Sequence, residues 1–213
     1  MPRPGSFPLL VWPLEAMAAV SDALVVVARA EDHDVVSQVV DGLELGRPSV
    51  VVVGGATRHQ SEAAGLTAAR ELGAVSDDDV IAVHDGARPL VSTELVSRLY
   101  AVAAAEGGAW PATAAPDVYR PTDGGLEAPA GELVRAQTPQ AFRAACLLAA
   151  YDAAAVSGFE GTDTLETVLR HGDLDCVMVE GDPTNIKLTY PADFELAERL
   201  LGAGEDHRRP TDA

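Results

Sequence analysis

Four short apolar runs limit the folds open to this chain more than any other feature: "ALVVVA" (23–28), "SVVVV" (49–53), "DVIAVH" (79–84) and "CVMVE" (176–180). They are continuous rather than alternating in polarity, the pattern of strands covered on both faces of a parallel sheet. Helical patterns lie between them. Thr93 is placed to cap a helix whose Leu95, Leu99 and Val102 share a face. Asp163, with Glu166 three residues on, reads as a capping box before Val168 and Leu169, and Pro191 opens a last helix with Phe194, Ala197 and Leu201 as its stripe. Strand, helix and strand repeated in this way predict a doubly wound α/β domain with a mostly parallel sheet. Residues 115–135, "APDVYRPTDGGLEAPAGELVR", break the rhythm with three prolines and three glycines. A connection this long predicts a protruding arm (about 115–136) that reaches a partner, with "TDGG" as its turn.

With 213 residues, 47% of them hydrophobic, the chain can build one sizeable core, so a single domain over residues 1–202 is expected. The tail, 203–213, lacks periodicity and is expected to be disordered. A net charge of −18 argues against a nucleic-acid partner, because phosphate backbones need clustered basic surface. No apolar run approaches the roughly 18 residues of a membrane span. The first twenty residues faintly resemble a secretion signal, but prolines and Glu15 interrupt the pattern. Cys146 and Cys176 form neither a CxxC nor a zinc pattern and fit free thiols in a reducing cytoplasm. Of 15 Lys and Arg residues only Lys187 is a lysine. That invites a role for a compact ammonium that a guanidinium cannot fill.

Ligands of open α/β sheets bind beyond the carboxyl ends of the strands. After "SVVVV" comes "GGATRHQS" (54–61). Its glycines permit close backbone approach, and a helix start can offer N–H groups to an anion, although an ordinary βα turn looks the same. After "DVIAV" comes "HDGARP" (84–89). There Asp85 can accept hydroxyls and Arg88 can grip a phosphate, or the two can simply brace the loop. His84 reads as a satisfied structural histidine. "QTPQAF" (137–142) is expected to open a helix through Pro139, and "GDPTNIKLT" (181–189) places Lys187 before another helix start. No Ser–His–Asp or Cys–His arrangement, GxGxxG or GxxxxGK[ST] is present, which disfavours nicotinamide-dependent enzymes and P-loop NTPases.

These stretches, together with "TDT" (162–164) after Gly161, resemble in order and spacing the 2-C-methyl-D-erythritol 4-phosphate cytidylyltransferase family. The resemblance covers roughly residues 8–201. It implies a Rossmann-like nucleotidyltransferase fold with a dimerisation arm. It further implies transfer of CMP from CTP to methylerythritol phosphate, with magnesium carried mainly by the CTP phosphates and no dedicated protein metal site. Gly54, Gly55, Ala56, Ser61 and Gly86 would line the cytosine and ribose pocket. Asp85, Arg88 and Thr138 would face methylerythritol phosphate, with Arg120 at the position of the arm's cation. Lys187 would sit between the two sets of phosphates as the catalytic cation. A homodimer in the cytoplasm is expected.

The sequence also departs from the family pattern. The family begins with a strand, a glycine-rich loop carrying an arginine, and a Pro-Lys pair; "MPRPGSFPLLVWPLEAM" matches only the segment after that loop. Ala130 stands where the arm has an arginine, and Val118 where it has a threonine. Three readings are open at this point. One is a cytidylyltransferase whose start has been set too far downstream. The others are a degenerate non-catalytic dimeric binding protein, and a cytidylyltransferase for another polyol phosphate such as ribitol phosphate.

Overall fold

The computed structural model describes residues 9–72 and 75–206. All four apolar runs form strands: β1 (Leu24–Ala28), β2 (Ser49–Val53), β3 (Val80–Val83) and, near the end, β9 (Cys176–Glu180). Helix α1 (Val11–Ala18) precedes β1, and α2 (His33–Gly42), α3 (Arg58–Glu71) and α4 (Thr93–Glu106) separate the first three strands from each other and from β4 (Gly108–Ala114). The chain then leaves in the short strands β5 (Arg120–Thr122) and β6 (Gly125–Glu127) and returns through β7 (Val134–Ala136) and β8 (Gln140–Arg143). Helices α5 (Ala144–Ser157) and α6 (Thr164–His171) precede β9, and α7 (Pro191–Asp206) follows it. The first four residues of the expected tail, 203–206, continue α7, and residues 207–213 lie outside the described residues.

The α/β class is as expected, and the sheet is mixed. β1 pairs parallel with β2, from Leu24 opposite Ser49 to Ala28 opposite Val53, and β4 pairs parallel with β9. Between β3 and β4 lies β8, antiparallel to both. Its segment, "QAFR", is the one expected to start a helix; that helix begins only at Ala144. The preference of Pro139 for a helix start loses to burial here. Ala141 and Phe142 are fully buried, and an extended backbone gives their peptide groups a ladder on each side.

Among the described residues β1 pairs only with β2, and β3 only with β8, so no ladder joins the two sheets. Side chains do that. Leu14, Met17 and Ala18 of α1 pack with Leu24 and Val26 of β1, Val40 of α2, and Val96 of α4. On the other side Leu66 of α3 packs with Phe142, Leu147, Tyr151 and Val168.

The helix signals are nearly in place. Ser92 rather than Thr93 caps α4, its Oγ accepting from Leu95 N at 3.2 Å; Val96 and Ala103 join Leu95 and Leu99 inside, and Val102 is only half-buried. Asp163 caps α6 by accepting from Glu166 N at 2.8 Å, but the Glu166 carboxylate accepts from Thr162 instead of closing the box. In α7, Ala197 is buried while Phe194 is exposed, so the apolar stripe is narrower than expected.

The arm leaves β4 at Ala115, whose N–H donates to Leu133 O at 2.9 Å, and its β5–β6 hairpin is exposed throughout. Gly125, at φ 139°, sits in its turn, where the backbone favours glycine. Val118, Tyr119, Leu126 and Val134 are exposed apolar side chains on the arm and its return.

Candidate active site

Thr57 ends an extended segment and caps α3, its Oγ1 accepting from Gln60 N at 3.2 Å. The helix therefore starts at Arg58, just beyond β2. From there the guanidinium reaches the residues that follow β3: Nη1 lies 2.8 Å from Asp85 Oδ1. The other Asp85 oxygen lies 3.1 Å from Lys187 Nζ and 3.5 Å from Arg88 Nε. Three cations thus surround one carboxylate at the end of a strand. Burial pushes that carboxyl up, but Arg58, Lys187 and Arg88 outweigh it and hold it below the ordinary aspartate range.

Three loops are stitched together around this centre. The Asp85 N–H donates to Thr138 Oγ1 at 3.0 Å. Asn185 Nδ2 donates to Thr138 O at 2.9 Å, and Leu188 N donates to Ala87 O at 2.8 Å, which fixes Lys187 beside the Asp85 loop. Gln137 and Asp182 exchange two bonds, Gln137 Nε2 to Asp182 O at 2.7 Å and Asp182 N to Gln137 Oε1 at 3.0 Å. Arg88 is buried, and its Nη1 donates to Asn185 O at 2.8 Å and its Nη2 to Ala136 O at 3.4 Å. Of the two roles open to Arg88 in sequence, the geometry favours the brace. Lys187, by contrast, is 46% exposed and free to meet a ligand.

The glycine turn borders this centre through Arg58. A Cβ on Gly54 would stand 2.6 Å from Ser61 Oγ, and one on Gly55 would stand 2.3 Å from Gln60 Cβ. Both glycines are required by the start of α3 itself. Ala56 N donates to Gln60 Oε1 at 3.0 Å, and Ser61 Oγ donates to Thr57 O at 2.9 Å. A Cβ on Gly86, next to Asp85, would meet only Leu10 Cδ1 among the described residues, at an ordinary 3.4 Å. Arg120 stands apart on the exposed hairpin, in register with Glu127. Sequence reasoning passed over Gln60, Glu62 and the reach of Arg58; the spacing of Arg58 and Glu62, an i,i+4 pair, was the available signal.

A family model described as "IspD: 2-C-methyl-D-erythritol 4-phosphate cytidylyltransferase" matches residues 5–203. The chain belongs to this family. It is 37% identical over 192 residues to the 2-C-methyl-D-erythritol 4-phosphate cytidylyltransferase of Geotalea uraniireducens, covering 89% of this chain and 81% of that one. It is 38% identical over 204 residues to a bifunctional IspD/IspF enzyme of Rhizorhabdus wittichii, covering 93% of this chain and half of that one. Among solved structures, the 4-diphosphocytidyl-2C-methyl-D-erythritol synthase of Anaerococcus prevotii aligns with a TM-score of 0.79 at 25% identity, over 93% of this chain and 87% of that one. The cytidylyltransferase of Thermus thermophilus aligns at 0.69 and 31% identity, over 94% and 92%.

Within this cytidylyltransferase-family site, His84 is structural, as its position suggested. Thr138 Oγ1 and His84 Nδ1 are 3.1 Å apart, and His84 Nε2 and Arg88 O are also 3.1 Å apart. Since Thr138 Oγ1 accepts from Asp85 N, its proton is free for Nδ1, which leaves Nε2–H to donate to the Arg88 carbonyl. Burial lowers this histidine to about 4, so it is neutral at pH 7. Its unfolded value is about 6.5. Between those values the unfolded state binds more protons, so the contribution is full above the unfolded value and is lost as pH falls through about 4. We expect stability in urea to drop by about 3 kcal/mol across that window, at about 1.4 kcal/mol per pH unit. His84→Gln should flatten that part of the profile. An unchanged slope in the variant would show that another group titrates.

Proposed function

We propose that the protein transfers the cytidylyl group of CTP to 2-C-methyl-D-erythritol 4-phosphate. The observation that carries this reading is the Asp85 centre: a carboxylate held by Arg58, Arg88 and the half-exposed Lys187, beside Thr138, next to a glycine turn. A phosphate oxygen of the acceptor attacks the α-phosphorus of CTP, a new P–O bond forms, and the bond to the β-phosphate breaks to release pyrophosphate. Two anions meet in that step, so fixed positive charge must balance what accumulates. Lys187 supplies it between the substrates. Asp85 accepts hydroxyls of the polyol, with Thr138 beside it, and Arg88 aims Asp85. Gly54, Gly55, Ala56, Ser61 and Gly86 border the cytosine and ribose.

Among the described residues no group of three His, Cys, Asp or Glu side chains could hold a metal, and Asp85 is already surrounded by cations. Magnesium would be carried by the triphosphate, where it would neutralise charge. The same anionic chemistry, with soluble nucleotide and polyol phosphate as substrates, suits a reaction in the cytoplasm. No helix among the described residues is long and apolar enough to cross a membrane.

The assay is pyrophosphate release from CTP with magnesium and methylerythritol phosphate, run beside ribitol phosphate. Turnover with methylerythritol phosphate supports the reading; preference for ribitol phosphate replaces the acceptor. No turnover, with no CTP binding by calorimetry, overturns it in favour of a non-catalytic protein.

The arm supports a homodimer. Val118, Tyr119, Leu126 and Val134 are exposed on a segment that serves no core of its own, and Arg120 stands there as the cation offered to a neighbouring site. Light scattering of the intact chain should give two copies, and removal of residues 121–132 should give one. A single-chain mass for the intact protein ends the idea.

A further inference from the structure

Arg58 is gripped at both ends. While Nη1 holds Asp85, Nε donates to Glu62 Oε1 at 2.7 Å. The Glu62 side chain is only 8% exposed and gathers two more donors: Thr164 Oγ1 donates to Oε1 at 3.1 Å, and the Tyr151 hydroxyl donates to Oε2. Neither donor can easily turn away. Thr164 is fully buried at the start of α6, and the Tyr151 ring stacks on His59 with centroids 4.7 Å apart and planes 8° off parallel. Burial, then the neighbouring Glu62 carboxylate, pushes the Tyr151 phenol up, so it remains a donor at any working pH. A carboxylate with three donors is a rigid anchor for a long, flexible side chain.

We propose that Glu62 is a positioning residue of the transferase centre: anchored by Tyr151 and Thr164, it fixes Arg58, and Arg58 fixes the carboxylate of Asp85 that receives the acceptor substrate. The proposal rests on the function read above for Asp85. The line runs from α5 and α6 through α3 to the end of β3, so it links the helical layer to the reacting groups. The alternative is that Glu62 merely ties α3 to α5 and α6.

A double-mutant cycle separates the two. Glu62→Gln should lower kcat/KM for methylerythritol phosphate by about 10- to 100-fold, the usual cost of small misplacement. The KM for CTP should move much less. In an Arg58→Ala background, Glu62→Gln should change kcat/KM by no more than about twofold, because the element it acts through is gone. Equal losses in both backgrounds, or a fall in melting temperature with unchanged kinetics, would overturn the proposal. Tyr151→Phe, which keeps the ring stack and removes only the hydroxyl, should show a smaller loss that likewise vanishes without Arg58. It serves if Glu62→Gln does not fold.

The ligand-free protein gives a second readout that does not depend on turnover. The charged groups on Asp85 are Arg58, Lys187 and Arg88. Losing the negative charge of Glu62 would by itself lower the Asp85 titration seen by carbon NMR, whereas releasing Arg58 raises it. A rise in Glu62→Gln, absent when Arg58 is already alanine, supports the anchor; a fall refutes it. A wild-type chain without turnover would overturn the proposed function while leaving this measurement to decide the role of Glu62.

Discussion

Lys187→Ala should lower kcat/KM for cytidylyl transfer by about 10²–10³-fold, the loss typical of one preorganised charge-stabilising group. The stability of the fold should hardly change. The Lys187 side chain is 46% exposed, and a half-exposed pair with Asp85 contributes at most about 1 kcal/mol. Lys187→Arg is the sharper variant. It keeps the charge but replaces a compact ammonium, seated 3.1 Å from Asp85 Oδ2, with a planar fork that cannot take the same place. Rate should therefore remain depressed by at least about tenfold, by the same loss of charge placement. Calorimetry showing unchanged affinity for both substrates in both variants, with unchanged turnover, would remove Lys187 from the site.

Asp85→Asn should damage both folding and function. Its carboxylate is largely buried and faces three cations, of which Arg88 is still more buried. Removing one partner of a buried ion pair costs roughly 3–5 kcal/mol, and here the buried Arg88 charge would stand uncompensated, whereas Arg58 keeps Glu62 and Lys187 is half-exposed. For a chain this size that corresponds to a melting temperature lower by roughly 2–4 °C per kcal/mol. Because the Asp85 carboxyl is held below its ordinary value, its contribution is present above the unfolded aspartate range and is lost as pH falls through the folded value. The variant should thus differ most from the wild type at neutral pH and converge with it in acid. An asparagine variant as stable and as active as the wild type at pH 7 would show that Arg88 needs no counterion.

Much of this was legible in the sequence because it is encoded locally. β2 and β9 begin and end where their apolar runs do, and β1 and β3 differ from theirs only at the ends. The five motifs converge because each follows a strand or opens a helix at one end of the sheet. What escaped depends on distant partners. β4 contains Pro111, which ordinarily argues against an interior strand. Its carbonyl accepts from Gln137 N at 2.8 Å, a pairing visible only once β7 has folded back. β8 was hidden behind Pro139 for a similar reason: its strand character comes from β3 and β4 on either side. Glu62 looks like a solvent-facing helix residue until Tyr151, 89 positions away, is brought onto it.

The separation of the β1–β2 ladder from the β3–β8–β4 ladder has a thermodynamic consequence. The glycine turn rides on the first, while Asp85 and Thr138 ride on the second, and the Arg58–Asp85 pair is a polar tie between them. On the function proposed above, nucleotide at the turn and acceptor at Asp85 would each grip a different hydrogen-bonded body, yet both would draw on that tie. Binding free energies form a closed square, so whatever factor CTP imposes on the affinity of methylerythritol phosphate, methylerythritol phosphate must impose on CTP. Calorimetric titration of each ligand with the other present measures that factor from both sides. A factor different from one that disappears in Arg58→Ala would identify two substrates cooperating through a single guanidinium, whereas one that persists would place their coupling elsewhere.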